Sequence, residues 1–230
     1  MNAMVVAIAC ALGSSGAAHA EPGGVSNVYG PSVERGESEL EYRVALLSGG
    51  GLDGAVLHRA EAGYAFTDWW RPAFVLQADH MPGAPPELTS VAIENVFDFT
   101  ATRSWPVHFG GYVEYAFGQN ERDDMVEFKL LAERRSRPLT VRLNLIAERH
   151  VGGNASDLWE HGYAERAVWR TSDRWAVGFE GFGEIEARAH YWGPRPNLSF
   201  GDASIALAYL AGLDEAEADG QFRIAVEFEH

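Results

Sequence analysis

The feature that most constrains this chain is a two-residue repeat of apolar and polar side chains along most of its length. In Glu39-Leu40-Glu41-Tyr42-Arg43-Val44 the even positions are apolar and the odd ones charged. Val107 to Phe109 shows the same alternation, which continues through Val113 to Phe117 and recurs from Val126 to Leu130 and from Trp175 to Glu180. Leu139 to Leu145 and Phe222 to Phe228 are further cases. Period two with β-branched and aromatic enrichment marks strands, whereas a helix repeats every 3.6 residues. The pattern predicts an all-β fold of twelve strands, at about 38–47, 55–66, 69–80, 89–102, 105–118, 124–134, 138–150, 158–170, 174–185, 189–200, 203–212 and 219–229. Arg166 interrupts the eighth, and Pro194-Arg195-Pro196 interrupts the tenth. Proline removes a ladder donor, so ten strands is the alternative count.

The connections add independent information. Those after even-numbered strands are short, such as Thr67-Asp68, Arg103-Ser104, Ser136-Arg137 and Gly201-Asp202. Most of the others are longer or more acidic. Trp69, Trp70, Trp105, Trp169 and Trp175 flank the short turns, five of the seven tryptophans. Indole rings favour a membrane–water boundary, where the ring is apolar and the N–H is wet. These residues are therefore expected to form an interfacial girdle at one rim of an antiparallel up-and-down barrel.

The compartment follows from the N-terminus. Residues 1–20 carry no Asp, Glu, Lys or Arg, have an apolar run from Met4 to Leu12, and end in Ala18-His19-Ala20. This is the shape of a secretory signal peptide. The one cysteine, Cys10, lies within it, so disulfides and thiolate metal sites are excluded elsewhere. Residues 21–37 are Gly/Pro/Ser-rich and are expected to be a flexible periplasmic lead-in to a barrel over 38–230. The chain has 33 acids against 18 bases and a net charge of −15, which argues against nucleic acid as a partner. After residue 20 no stretch approaches the roughly 20 apolar residues of a spanning helix. A membrane location would therefore require a closed barrel, the other spanning structure that satisfies every backbone group.

The two faces of the strands decide between membrane and water. One face carries Leu40, Tyr42, Val44, Val113, Tyr115, Val141, Leu143 and Ile224, and the other carries Glu and Arg at mid-strand, with Lys nearly absent. Arginine and carboxylate pair bidentately and suit partly dehydrated settings. That favours an inward ionic face over the solvated face of a soluble sandwich or lipocalin-like barrel. With the export signal, the girdle and the terminal strand Gln221 to Phe228, the chain resembles a Gram-negative outer-membrane β-barrel protein of small, porin-like type. The resemblance implies placement among outer-membrane lipids and lipopolysaccharide. It also implies insertion by the outer-membrane assembly machinery, with Phe228, followed by Glu229 and His230, similar to the terminal aromatic of such barrels.

The expected function is a narrow passive channel for small cationic or polar solutes, lined by Glu41, Arg43, Arg59, Glu61, Glu114, Glu127, Lys129 and Arg142. The alternatives are a non-conducting structural barrel, a lipid hydrolase and a soluble periplasmic binding protein. For a hydrolase, Ser48, Ser90 or Ser156 would need His58 or His150 beside it, and no G-x-S-x-G is present. His58, His80, His150, His161 and His190 fall near the long-loop ends without the spacing of a metal set. Two acidic loop clusters, Glu121/Asp123/Asp124 and Asp214/Glu215/Glu217/Asp219, read as solvated loops. No cofactor is expected.

Overall fold

A computed structural model describes residues 24–152, 155 and 158–230. The predicted signal segment and Ser156 lie outside them. The strands are β1 (Ser38–Ser48), β2 (Val56–Tyr64), β3 (Trp70–His80), β4 (Glu87–Asp98), β5 (His108–Gly118), β6 (Asp124–Ser136), β7 (Leu139–Val151), β8 (Glu160–Arg170), β9 (Trp175–Glu184), β10 (Ala189–Pro194), β11 (Asn197–Phe200), β12 (Ala203–Asp214) and β13 (Gly220–Glu229). Every pairing is antiparallel, β1 to β9 pair in chain order, and β13 returns to β1 in a register from Glu39↔Glu229 to Ser48↔Gly220. The sheet therefore has no edge.

β10 and β11 both lie between β9 and β12. They are two halves of one stave, so the closed barrel has twelve staves. Proline has no N–H to give, and the break falls at Pro194-Arg195-Pro196. The ladder bridges it through the Arg195 N–H on the Gly178 carbonyl (2.7 Å) and the Leu207 N–H on the Pro196 carbonyl (3.0 Å). Gly193 faces β12 so closely that a Cβ there would collide with the Tyr209 carbonyl oxygen. Backbone does not yield as a side chain does. Gly193→Ala is expected to destabilise the barrel by about 1–3 kcal/mol, read as a lower urea midpoint in tryptophan fluorescence. An unchanged midpoint would show that the stave is not held so tightly.

The connection from β4 to β5 runs over 99–107, longer than the two-residue turn expected at Arg103-Ser104. Side chains add to the main-chain contact of the Phe99 N–H with the Phe109 carbonyl (3.0 Å) there. The Asp98 carboxylate accepts from the Thr100 N–H (2.7 Å), and the Thr100 hydroxyl accepts from the Phe109 N–H (3.2 Å).

The alternation separates two environments. Leu130, Leu145 and Phe179 point outward at 53%, 52% and 59% exposure, while Glu94 and Glu133 point inward at 0%. The apolar surface is on the outside and the ionic surface is enclosed, the reverse of a soluble globule. Trp69, Trp105, Trp169 and Trp175 are exposed, and Trp70 is half-buried, its indole N–H donating to Asn95 Oδ1 (3.0 Å).

Residues 24–37 differ most from expectation. Instead of trailing as a flexible lead-in, they form a strap inside the barrel. Val33 and Tyr29 pack against Ala65, Val96, Tyr112 and Leu131. Further along, Val25 and Val28 pack against Ala45, Leu47, Ala55, Leu57, Phe182, Tyr191 and Leu210. The second group lies toward the long-loop end. The lumen is thus ionic in its middle and apolar above, where β1 itself changes from Glu39, Glu41 and Arg43 to Ala45 and Leu47 on the inward face.

Candidate functional site: the charged lumen

The inward positions on neighbouring staves stand level with one another, and the register sets like charges side by side. Glu41 faces Glu61 and Arg43 faces Arg59 across β1 and β2. Across β4 to β8, Glu94, Glu114, Glu127, Glu148 and Glu160 form one continuous row. Like charges directly opposite repel, so at these positions the compensating contacts are made along strands or diagonally, whereas Glu133 and Arg142, and Arg166 and Glu180, face each other directly. Arg43 lies between Glu41 (3.3 Å) and Glu61 (2.6 Å). Arg59 reaches past its neighbour strand to Glu94 (3.1 Å) and also contacts Glu114. Tyr112 donates its hydroxyl to Glu114 (2.6 Å) and lies 3.0 Å from Glu94. Lys129 pairs with Glu127 (3.1 Å) and sits 4.5 Å from the Tyr112 ring centre.

On the opposite wall one carboxylate serves three guanidiniums. Glu180 meets Arg166 at 3.1 Å, Arg195 at 3.0 Å and Arg223 at 2.8 Å. A further group joins Glu133 to Arg142 (2.6 Å) and Arg135 (2.5 Å), and Glu39 pairs with Arg71. Buried ions of this kind persist only where partners are close and numerous.

Of the eight residues expected to line the lumen, Glu41, Arg43, Arg59, Glu61, Glu114, Glu127 and Lys129 are buried in it. Arg142 is half-buried, at the edge of an open vestibule of about 570 Å³ at the short-turn end. Arg166 and Arg195, which break the alternation in sequence, both face inward onto Glu180. Their signal was phase: Arg166 is in step with the inward Ala164. Tyr29 and Asn144 gave no signal, because one lies in a Gly/Pro-rich stretch and the other is a lone amide among charges.

The strap is gripped by these side chains. Asn144 accepts the Tyr29 N–H through Oδ1 (2.8 Å) and donates Nδ2 to the Tyr29 carbonyl (2.9 Å). The Tyr29 hydroxyl donates to Glu94 (2.9 Å) and accepts from Arg43 (3.2 Å). Arg43 also donates to the Val25 carbonyl (2.7 Å), Arg142 to the Val28 carbonyl (3.4 Å) and Arg223 to the Ser26 carbonyl. Gly30 lies close against the tips of Glu133 and Arg142, where a Cβ would stand 2.9 Å from Glu133 Oε2.

The other candidates are dispersed. Ser48 donates to the Gly220 carbonyl, and the His58 ring bonds the Tyr42 hydroxyl (2.8 Å). His161 is bonded to Glu186 and His190 to Tyr163. Asp124 closes its loop by accepting from Tyr115 and the Gly118 N–H. Among the described residues, the groups close enough to share a metal ion are carboxylates alone: Glu39/Glu41/Glu61 and Glu39/Glu227/Glu229.

No protein-family model matches the sequence, and no curated protein matches it. Solved structures share the fold. The KdgM porin is 8% identical with a TM-score of 0.62, over 83% of this chain and 98% of its own. The NanC porin is 10% identical with a TM-score of 0.58, over 82% and 98%. An outer membrane channel from Pseudomonas putida F1 is 12% identical with a TM-score of 0.59, over 92% and 99%. The chain therefore has the fold of the outer-membrane porins.

Proposed function

We propose that this protein is a narrow passive channel of the outer membrane, with a preference for small cationic or polar solutes. The observation that carries the reading is the continuous row of carboxylates on β4 to β8, held inside a wall whose outer face is apolar. Such a row sets up a negative potential in a confined, low-dielectric passage, which concentrates cations and repels anions. The apolar exterior and its tryptophans fit acyl chains and headgroups, with the short turns in the periplasm. Outer-membrane lipids, lipopolysaccharide and the assembly machinery, through Phe228 on the lipid side of β13, are the partners this reading implies. The strap occupies the passage, so the described conformation is the closed one.

Planar-bilayer recording under a salt gradient tests the lining. Arg43→Ala with Arg142→Ala removes two luminal cations and two donors to the strap. The expected result is a reversal potential shifted toward the cation limit, with larger or more frequent openings. Unchanged reversal potentials would reject the lining role.

A second reading has its own observation. Arg43, Arg142, Arg166 and Arg223 aim donors at successive strap oxygens of residues 25 to 28. With the strap displaced they would face an extended anionic chain, and the KdgM porin is described in complex with oligogalacturonate. An anion-selective reversal potential in the wild-type channel would favour this reading over the first.

A further inference from the structure

We propose that the lumen is a binding site for an extended peptide, and that residues 24–33 are its resident, exchangeable occupant. This rests on the channel reading for its consequence, gating, but not for the site itself. Between residues 24 and 35 the strap makes no main-chain hydrogen bond to the main chain of the wall among the described residues. It is not a thirteenth stave. Its hold on the wall comes from side chains, which read it as a peptide.

Three devices do the reading. The Asn144 amide takes both the N–H and the C=O of residue 29, the two-point pairing that a neighbouring strand would make. A side-chain amide offers it without committing a strand to the ladder. Arginines from β1, β7 and β13 donate to the carbonyls of residues 25, 28 and 26, and Arg166 donates to the Asn27 side chain (2.8 Å). The three carbonyl contacts recognise any backbone that offers acceptors at that spacing, and the Asn27 contact adds a side chain to it. The third device is specific. The Tyr29 ring lies 4.7 Å from that of Tyr112, with the Lys129 ammonium 4.9 Å from its centre and its hydroxyl on Glu94. That pocket selects a phenol, because an unfilled one would leave a buried carboxylate short of a donor.

Small wall residues complete the fit. Ala45, Ala55, Ala164 and Ala208 face the strap's valines at the apolar level. The volume the strap occupies is not filled by the wall, so withdrawing the strap leaves a passage. The vestibule at the short-turn end, where residue 37 joins β1, provides the way out.

Outside residues 1–20 the chain has no cysteine, so a single introduced thiol reports strap release. In the full chain reconstituted in liposomes, Val28→Cys is buried and is expected to react slowly with a water-soluble maleimide. Adding Asn144→Ala should raise the rate by about tenfold, the effect of losing both main-chain contacts. Ser26→Cys provides a second reporter should the Val28 variant fail to insert. An unchanged rate at both positions would overturn the proposal.

The second arm uses the chain lacking residues 24–33, whose ladder closes without them, and a fluorescent peptide of the sequence Gly24 to Val33. Binding is expected, and weakening by about tenfold for the same peptide with Tyr29→Ala. No binding, or equal binding of the two peptides, would refute the site. Current through the strap-less barrel that the peptide blocks would establish gating. Peptide binding without any current would leave the site intact and reject the channel reading.

Discussion

Glu180→Ala is expected to be the most damaging single substitution in the barrel. The carboxylate is buried and balances Arg166, Arg195 and Arg223 together. Its removal leaves three enclosed guanidiniums facing one another without an intervening anion. Taking one partner from a buried ion pair costs about 3–5 kcal/mol, and here the mutual repulsion of the survivors adds to that. The cluster also joins β8, β9, the split stave and β13, so the damage falls on the region where the proline break has already thinned the ladder. Purified variant in detergent should unfold at a clearly lower urea concentration, with early loss of the heat-modifiable folded band on unheated gels. Glu180→Gln keeps an acceptor and should lie between the two. Adding Arg195→Ala to Glu180→Ala should recover part of the loss, because it removes one of the unpaired charges. Wild-type stability in the Glu180→Ala variant would mean that the three arginines are solvated by water and the cluster is not structural.

Leu145→Arg should be nearly as costly, for a reason that lies on the other face. Leu145 sits midway along β7 beside Leu130, pointing outward. On a soluble protein an exposed leucine accepts arginine with little effect. At the middle of a bilayer the same change costs about 2–4 kcal/mol, falling to about 0–1 near the interface. Leu213, exposed at the long-loop end of β12, is the matched control for Leu213→Arg. Folding into liposomes should therefore separate the two variants by a few kcal/mol. Equal effects at both heights would remove the membrane from this account altogether, because depth dependence is what a bilayer adds to an apolar surface.

The sequence made the wall legible because period two is a local property that each strand carries alone. Glu39, Glu41 and Arg43 announce an inward ionic face within six residues, and the girdle tryptophans mark one rim by position in the chain. The broken tenth stave was flagged by its prolines, and its arginine was misread as an interruption when it is a luminal ligand of Glu180. What could not be read was anything depending on how far apart the staves come to lie. The pairing of Arg59 with Glu94 reaches across β3, the one stave between theirs. The role of Asn144 depends on a segment 115 residues away. Gly/Pro/Ser-rich stretches usually stay unstructured because they have little apolar surface to bury. Val25, Val28, Tyr29 and Val33 provide that surface here, spaced irregularly enough to show neither helix nor strand periodicity.

The position of the strap in the chain has a consequence for assembly. It runs directly into β1, and β1 is the strand that β13 must find to shut the seam. Its acceptors meet an arginine from each margin, Arg43 on β1 and Arg223 on β13, so the segment ties the two sides of that seam together from within. A barrel without it is held at the seam by the ladder alone.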